Sequence, residues 1–248
     1  MTESPFSLAG KRILVTGASS GIGRSIAYVV AATGATVVAS GRDADRLAQT
    51  LATLPQGDHR SIAMDLTEGD TPARIAAEAG ALHGVVHSAG ISALAPLRLA
   101  RPDAFERLWR TNYLAPMLVT QALLKAGRIA DGGSIVFIGS ISAHIGVAGV
   151  GGYSGTKAAL AASARCLAME VSKRRIRVNT VAPGIVETEM AAAGSEMLGE
   201  TMERQRADYP LGFGKPEDVA HLAAFLLSDA SRWITGISVI IDGGHTIG

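Results

Sequence analysis

Short runs of β-branched and aliphatic residues recur along the chain between longer Ala-rich segments: Arg12 to Thr16, Thr36 to Ser40, Ser61 to Asp65, Gly84 to His87, Ser134 to Gly139, Ile176 to Thr180 and Ile237 to Ile241. Several of them, such as Ser-Ile-Val-Phe-Ile-Gly, are apolar without alternation, as strands buried on both faces are. Seven such strands alternating with helical stretches need crossover connections. The pattern therefore predicts a parallel sheet covered on both sides, a doubly wound α/β fold. Helices are expected from Gly21 to about Ala32, from Asp103 to Lys125, from Gly155 to Glu170, and after Pro216-Glu217-Asp218, where proline and acidic residues suit a helix start. No Pro/Ser-rich linker or low-complexity tract divides residues 1–248, so one domain is expected. The stretch Glu187 to Tyr209 breaks the rhythm and reads as an insertion over the ligand edge of the sheet, a substrate lid.

Composition narrows the function classes. With 48% hydrophobic and 18% charged residues the 248-residue chain can bury a substantial core, which excludes a disordered regulator. Its 23 basic and 22 acidic side chains form no long single-sign block, so there is no electrostatic footprint for nucleic acid or for an anionic membrane. No apolar run reaches the roughly 18 residues a membrane span needs, and Glu3 stands where a secretory segment would carry a basic start. A cytoplasmic protein is expected. The single cysteine, Cys166, allows no internal disulfide and, among Ala164, Leu167 and Ala168, is expected to be a buried core thiol. His83 and His87 are four apart, but on a strand that is about 13 Å, too far to share one ion; no metal is expected. The one basic cluster, Lys173-Arg174-Arg175 with Arg177, reads as a solvated helix end or as a docking patch for an acidic carrier protein.

Candidate chemistry begins where the first predicted strand ends. Gly17-Ala-Ser-Ser-Gly21-Ile-Gly23 turns from that strand into a helix, and such a turn lets backbone amides and the helix dipole approach a pyrophosphate. Tyr153 and Lys157 are i and i+4, neighbours on one helix face. A phenol with an ordinary pKa near 10 exchanges protons poorly at neutrality, and an adjacent ammonium is expected to lower it. Ser140 follows the fifth strand, at the carboxyl edge where open α/β sheets present ligand-binding groups. Ser142 is a competitor for its role, disfavoured by spacing. Asn112 falls on the apolar stripe of Phe105, Leu108 and Trp109, and a buried amide needs partners.

The segments TGASSGIG, Tyr153-Ser-Gly-Thr-Lys157 and Pro183-Gly-Ile-Val-Glu-Thr188 together resemble the classical short-chain dehydrogenase/reductase family, over nearly the whole chain from about Leu8 to Asp242-Gly-Gly. The resemblance implies a single-domain Rossmann fold with a nicotinamide cofactor. It assigns Gly17, Ser19, Ser20, Gly21, Ile22 and Gly23 to the pyrophosphate turn, Asp65 and Leu66 to the adenine, and Pro183, Gly184, Ile185 and Thr188 to the nicotinamide. His87-Ser88-Ala89-Gly90 stands where the family usually has Asn-Asn-Ala-Gly, so Ala89 and Gly90 keep their cofactor role while His87 and Ser88 depart from it. Catalysis falls by the same resemblance to Ser140, Tyr153, Lys157 and Asn112, with Lys157 also on the nicotinamide ribose and Asn112 in a proton relay; a simple structural cap is the alternative for Asn112. Gly41 stands where an NAD-preferring member carries an acidic residue, and Arg42 with Ser40 can pair with a 2′-phosphate, so NADP(H) is favoured over NAD(H). Ser20 stands where another NADP-preferring group carries Lys or Arg. The expected activity is hydride transfer between the nicotinamide and a ketone or secondary alcohol. Arg-Val-Asn-Thr-Val-Ala-Pro-Gly and Ile-Thr-Gly are similar to 3-oxoacyl-(acyl-carrier-protein) reductases, which admits a carrier-bound substrate. Secondary-alcohol, sugar and steroid dehydrogenation are the alternatives, and a cofactor-sensing protein without turnover is a minor one. The family resemblance also implies a homotetramer assembled through the Asp103–Lys125 and Gly155–Glu170 helices and the C-terminal strand.

Overall fold

The computed structural model describes residues 4–192 and 202–247. Seven parallel strands form one sheet in the order β3-β2-β1-β4-β5-β6-β7. They are β1 (Arg12–Thr16), β2 (Thr36–Gly41), β3 (Arg60–Ala63), β4 (Leu82–His87), β5 (Ile129–Ile138), β6 (Arg177–Pro183) and β7 (Ser238–Ile241). The order reverses between β1 and β4, which opens a crevice at the carboxyl ends of those two strands. The helices are α1 (Gly21–Ala32), α2 (Ala44–Thr53), α3 (Thr71–Glu78), α4 (Pro102–Trp109), α5 (Ala115–Lys125), α6 (Gly151–Glu170), the short α7 (Met202–Arg206) and α8 (Pro216–Leu227). None among the described residues is long and apolar enough to cross a membrane.

The helices divide the core into two layers. On one face Ile26, Val30 and α8 residues such as Val219 and Leu227 pack on Ile13, Val15 and Val136. On the other, α3, α5 and α6 cover Leu14, Val85, Ile135 and Phe137. Adjacent residues of β1 and β5 thus serve opposite layers, so neither strand needs a polar face. That is why Ile13–Val15 and Ile135–Ile138 read as unbroken apolar runs.

Boundaries differ where local chemistry intervenes. β3 ends at Ala63, two residues early, because Asp65 turns its carboxylate onto the Thr67 N–H at 2.9 Å and hydroxyl at 2.7 Å. β5 begins at Ile129 and runs through Gly132-Gly133 with a register shift against Leu82/Gly84, which the glycines hid from a β-propensity reading. The expected Asp103–Lys125 helix is broken by a π-turn, Arg110–Leu114, between α4 and α5. α6 starts four residues before Gly155, so Tyr153 already lies inside the helix. Of the expected lid at 187–209, residues 193–201 lie outside the described residues.

Two side-chain expectations are corrected. Cys166 is exposed, because the buried stripe of α6 runs through Leu160, Ala161, Ala164, Leu167 and Ala168 and leaves it on the outer face. The basic cluster is dispersed. Arg174 bonds Asp131 at 2.8 Å, while Arg177 is buried and donates to the Leu226 carbonyl at 2.6 Å and Ser231 Oγ at 2.7 Å. Arg177 opens β6, so the cluster sits at the amino ends of the strands, across the sheet from the crevice.

Candidate active site

The glycine turn is shaped by close approach. Gly17 has φ +70°, and a Cβ there would stand 2.7 Å from Ala89 Cα. A Cβ on Gly23 would stand 2.1 Å from the Gly17 carbonyl oxygen. Behind the turn, Thr50 Oγ1 donates to the Ala18 carbonyl at 2.9 Å and Arg24 donates to that of Ser19. Two carbonyls are thus engaged from the rear. Ser20 caps α1 without a side-chain hydrogen bond, so the first amides of α1 keep unspent donors at the positive end of its dipole. This cradle fits a pyrophosphate. Thr188 closes onto it, its Cγ2 lying 3.4 Å from where a Gly21 Cβ would be, and Ile22 packs beneath against the core.

At the end of β2, Gly41 lies beside Ser19, whose Oγ would be 3.3 Å from a Gly41 Cβ. Arg42 is exposed, 4.0 Å from Asp65. Burial would raise the Asp65 carboxyl, but the Thr67 hydrogen bonds and the Arg42 charge outweigh it and hold it below its ordinary range. Ser40 does not share this surface. Its hydroxyl is fully enclosed and unpartnered, and the residue meets the turn only through its carbonyl, which accepts from Ala18 N–H at 3.0 Å. Direct contact of its hydroxyl with a 2′-phosphate is closed off, leaving Arg42 as the candidate. Leu66 likewise turns its side chain into the core.

The polar residues converge at the carboxyl edge of β4 and β5. Ser140 follows β5 and hydrogen-bonds the Tyr153 phenol. Its Oγ accepts from Ser142 N–H at 3.2 Å and Ser142 Oγ–H at 3.0 Å. Ser142 is therefore not a rival of Ser140 but its support, a role that spacing alone could not show. Lys157 is buried one turn after Tyr153 and donates to the Ile138 carbonyl at 2.8 Å, its Nζ 5.5 Å from the phenol ring centre. Burial lowers Lys157 to about 8.

The expected acidification of the phenol is not what this arrangement produces. Burial raises the Tyr153 pKa, and the Ser140 hydrogen bond only partly offsets it. The Lys157 charge points to the Ile138 carbonyl, so in the chain by itself Tyr153 stays protonated at neutral pH.

Asn112 sits in the π-turn, fully buried, and pairs with both backbone groups of Ile91: its Oδ1 accepts from Ile91 N–H at 2.8 Å and its Nδ2 donates to the Ile91 carbonyl at 2.9 Å. Nδ2 also reaches Thr156 Oγ1 at 3.3 Å. The structural cap is thus present, and π-turns of this kind recur at functional sites. A Cβ on Gly90 would meet both Asn112 Oδ1 at 3.3 Å and Lys157 Nζ at 3.5 Å, so the two polar atoms flank one small space.

The two histidines have separate partners. His83 Nδ1 accepts from Arg12 N–H at 3.0 Å. His87 is buried, stacked on Phe137 at 5.0 Å, with Nε2 2.8 Å from Thr120 Oγ1. Since Thr120 donates to the Pro116 carbonyl, His87 carries its proton on Nε2. Burial depresses its pKa to about 3.

A dinucleotide cradle at a sheet crevice, with a serine, a tyrosine and a lysine gathered beside it, defines the class of nicotinamide-dependent oxidoreductases. The comparisons with known proteins agree. A family profile described as enoyl-(acyl carrier protein) reductase matches residues 17–246. A 3-oxoacyl-(acyl-carrier-protein) reductase of Aquifex aeolicus is 35% identical, covering 96% of this chain and 98% of its own. A D-threitol dehydrogenase of Mycolicibacterium smegmatis is 35% identical over 98% of this chain and 95% of its own. A solved short-chain type dehydrogenase/reductase of Mycobacterium ulcerans superposes with TM-score 0.88 at 34% identity, covering 97% of this chain and 91% of that one. The chain belongs to the short-chain dehydrogenase/reductase family, and it is an oxidoreductase acting on CH–OH and C=O groups.

Proposed function

We propose that this enzyme transfers hydride between NADP(H) and a ketone or secondary alcohol, with Tyr153 as the proton donor and acceptor. The convergence of Ser140, Tyr153, Lys157 and Asn112 beside the glycine cradle carries this reading. When bound, the reduced nicotinamide supplies the hydride that the carbonyl carbon accepts. The chain does the rest. The Ser140 hydroxyl, steadied by Ser142, holds the carbonyl oxygen as negative charge grows on it. Tyr153, protonated at neutrality, gives that oxygen its proton. Lys157 and Asn112, which flank the Gly90 space, form the route by which the phenol regains one. Lys157 would also hold the ribose of the nicotinamide, a role the family resemblance assigns to it.

Preference for the phosphorylated cofactor rests on Arg42, exposed at the end of β2, and on the lack of a carboxylate at Gly41. NAD(H)-dependent oxidation of a secondary alcohol, sugar or steroid is the second reading, and the similarity to a D-threitol dehydrogenase supports its polyol substrate. A carrier-bound substrate finds support in the 3-oxoacyl reductase relative, but the basic cluster offered for it stands across the sheet from the site. Exposed Trp109 and Leu118 near α4 and α5, and Trp233 and Ile240 near β7, suit a homotetramer.

Tyr153→Phe tests the chemistry. Absorbance at 340 nm with a panel of ketones and alcohols should show turnover in the wild type and none in the variant, with cofactor binding largely kept. Binding without consumption in the wild type would instead mark a cofactor sensor, and full turnover by Tyr153→Phe would refute the assignment.

A further inference from the structure

β6 leaves the sheet through Gly184 and Ile185, and the stretch then runs to Thr188, which rests against Gly21 of the cradle. Backbone ties hold it: Gly184 N–H donates to the Ile241 carbonyl at 2.9 Å, Gly214 N–H to the Ile185 carbonyl at 3.0 Å, and Glu187 N–H to the Gly214 carbonyl at 2.9 Å. The Ile185 N–H is met instead by a side chain, donating to the Tyr209 hydroxyl at 3.1 Å. Tyr209 is buried, and its ring fits because residue 184 is glycine, where a Cβ would stand 2.8 Å from Tyr209 Cε1 and 3.0 Å from Asp242 Cβ. The segment after β7 fixes that ring. The Asp242 carboxylate accepts from Gly244 N–H at 3.0 Å and Thr246 N–H at 2.8 Å, a turn that lays His245 on Tyr209 with ring centres 4.3 Å apart and planes 9° from parallel. His245 Nδ1–H donates to the Asp208 carbonyl at 3.0 Å, and Phe213 meets the tyrosine edge-on at 5.2 Å.

We infer that Tyr209 is a positioning residue for the nicotinamide half of the dinucleotide, and that His245 acts through it; the inference rests on the nicotinamide-dependent reading above. The sheet order supplies the direction. The cradle after β1 divides the carboxyl edge, with Arg42 after β2 on one side and Ser140 after β5, then β6, on the other. A dinucleotide lying across the crevice with its hydride-bearing ring beside Tyr153 therefore has that ring on the β6 side, where Ile185 stands. The Tyr209 hydroxyl sets the orientation of the peptide between Gly184 and Ile185. Without it the Ile185 N–H is stranded, and the freedom of glycine lets that peptide take other orientations. Binding then has to order what the wild type holds ready.

The test is a binding titration on the full-length chain, comparing each dinucleotide with the same molecule lacking its nicotinamide ring: NADPH with 2′-phospho-ADP-ribose, and NADH with ADP-ribose. For the dinucleotide that binds more tightly, Tyr209→Phe should raise Kd about threefold to tenfold, the loss of one hydrogen bond, and leave the ring-less fragment within about twofold. The variant keeps the stacked ring and should melt within about 4 °C of the wild type. His245→Ala should weaken the dinucleotide about twofold to threefold, again sparing the fragment, and carries the test if Tyr209→Phe fails to fold. The double variant should bind no worse than Tyr209→Phe alone, because both changes act through one hydroxyl. Dinucleotide and fragment weakened in parallel would reveal a merely structural tyrosine and overturn the inference, as would a dinucleotide Kd that does not move. Losses that multiply in the double variant would overturn the part given to His245. A wild type that binds each dinucleotide no more tightly than its fragment would remove the nicotinamide placement in the proposed function, and the inference with it.

Discussion

Replacing Asn112 with alanine should unfold the enzyme more readily as well as slow it. The amide satisfies both backbone groups of Ile91 and touches Thr156 Oγ1, all from a fully buried position. Alanine leaves the Ile91 N–H and carbonyl without these partners. A buried group so stranded costs about 1–3 kcal/mol, and since Ile91 is itself only half-buried, the lower end applies to each. Adding the emptied space of the amide, the loss comes to about 2–4 kcal/mol. For a chain of this size, that lowers Tm by roughly 5–15 °C. Calorimetry and urea midpoints would measure it. Asn112→Asp should not rescue, because a carboxylate still accepts from Ile91 N–H but faces the Ile91 carbonyl with no donor. A melting temperature unchanged within about 2 °C, together with lost activity, would refute the structural account and leave Asn112 to the proton relay alone.

Four further outcomes are expected. Ser142→Ala removes one hydrogen bond to Ser140 Oγ and should lower kcat about twofold to tenfold with little change in KM, read by steady-state kinetics. Gly90→Ala places a methyl beside Asn112 Oδ1 and Lys157 Nζ and should depress kcat more than stability; equal turnover would argue against a route through that space. Arg42→Ala should lower kcat/KM for NADPH at least tenfold while sparing NADH, and a variant equally impaired with both would sink the 2′-phosphate assignment. His87 has a pKa of about 3 in the fold against an ordinary 6.5, so the unfolded chain takes up a proton that the folded one refuses between those values. Stability should therefore fall as pH drops through 6.5 toward 3, by at most about 1.4 kcal/mol per pH unit from this group, and His87→Asn should flatten the slope in urea titrations.

Much was legible along the chain because local rules govern it. A strand buried on both faces must be apolar throughout, so seven such runs announced the sheet; a turn that brings backbone to within 2.1 Å of a would-be Cβ tolerates only glycine at Gly23, so the cradle showed itself. Tyr153 and Lys157 share a helix face because 3.6 residues make a turn. What each side chain meets depends on elements far apart in sequence, and there the tertiary structure decided. Ser40 is sealed beneath the turn, Cys166 faces outward, and Arg177 is spent on the α8 end, none of which composition near those residues could show. The direction of the Tyr153 shift belongs to the same class: spacing sets the lysine one turn away, but burial and the distant Ile138 carbonyl, 19 residues back along the chain, determine where its charge is felt.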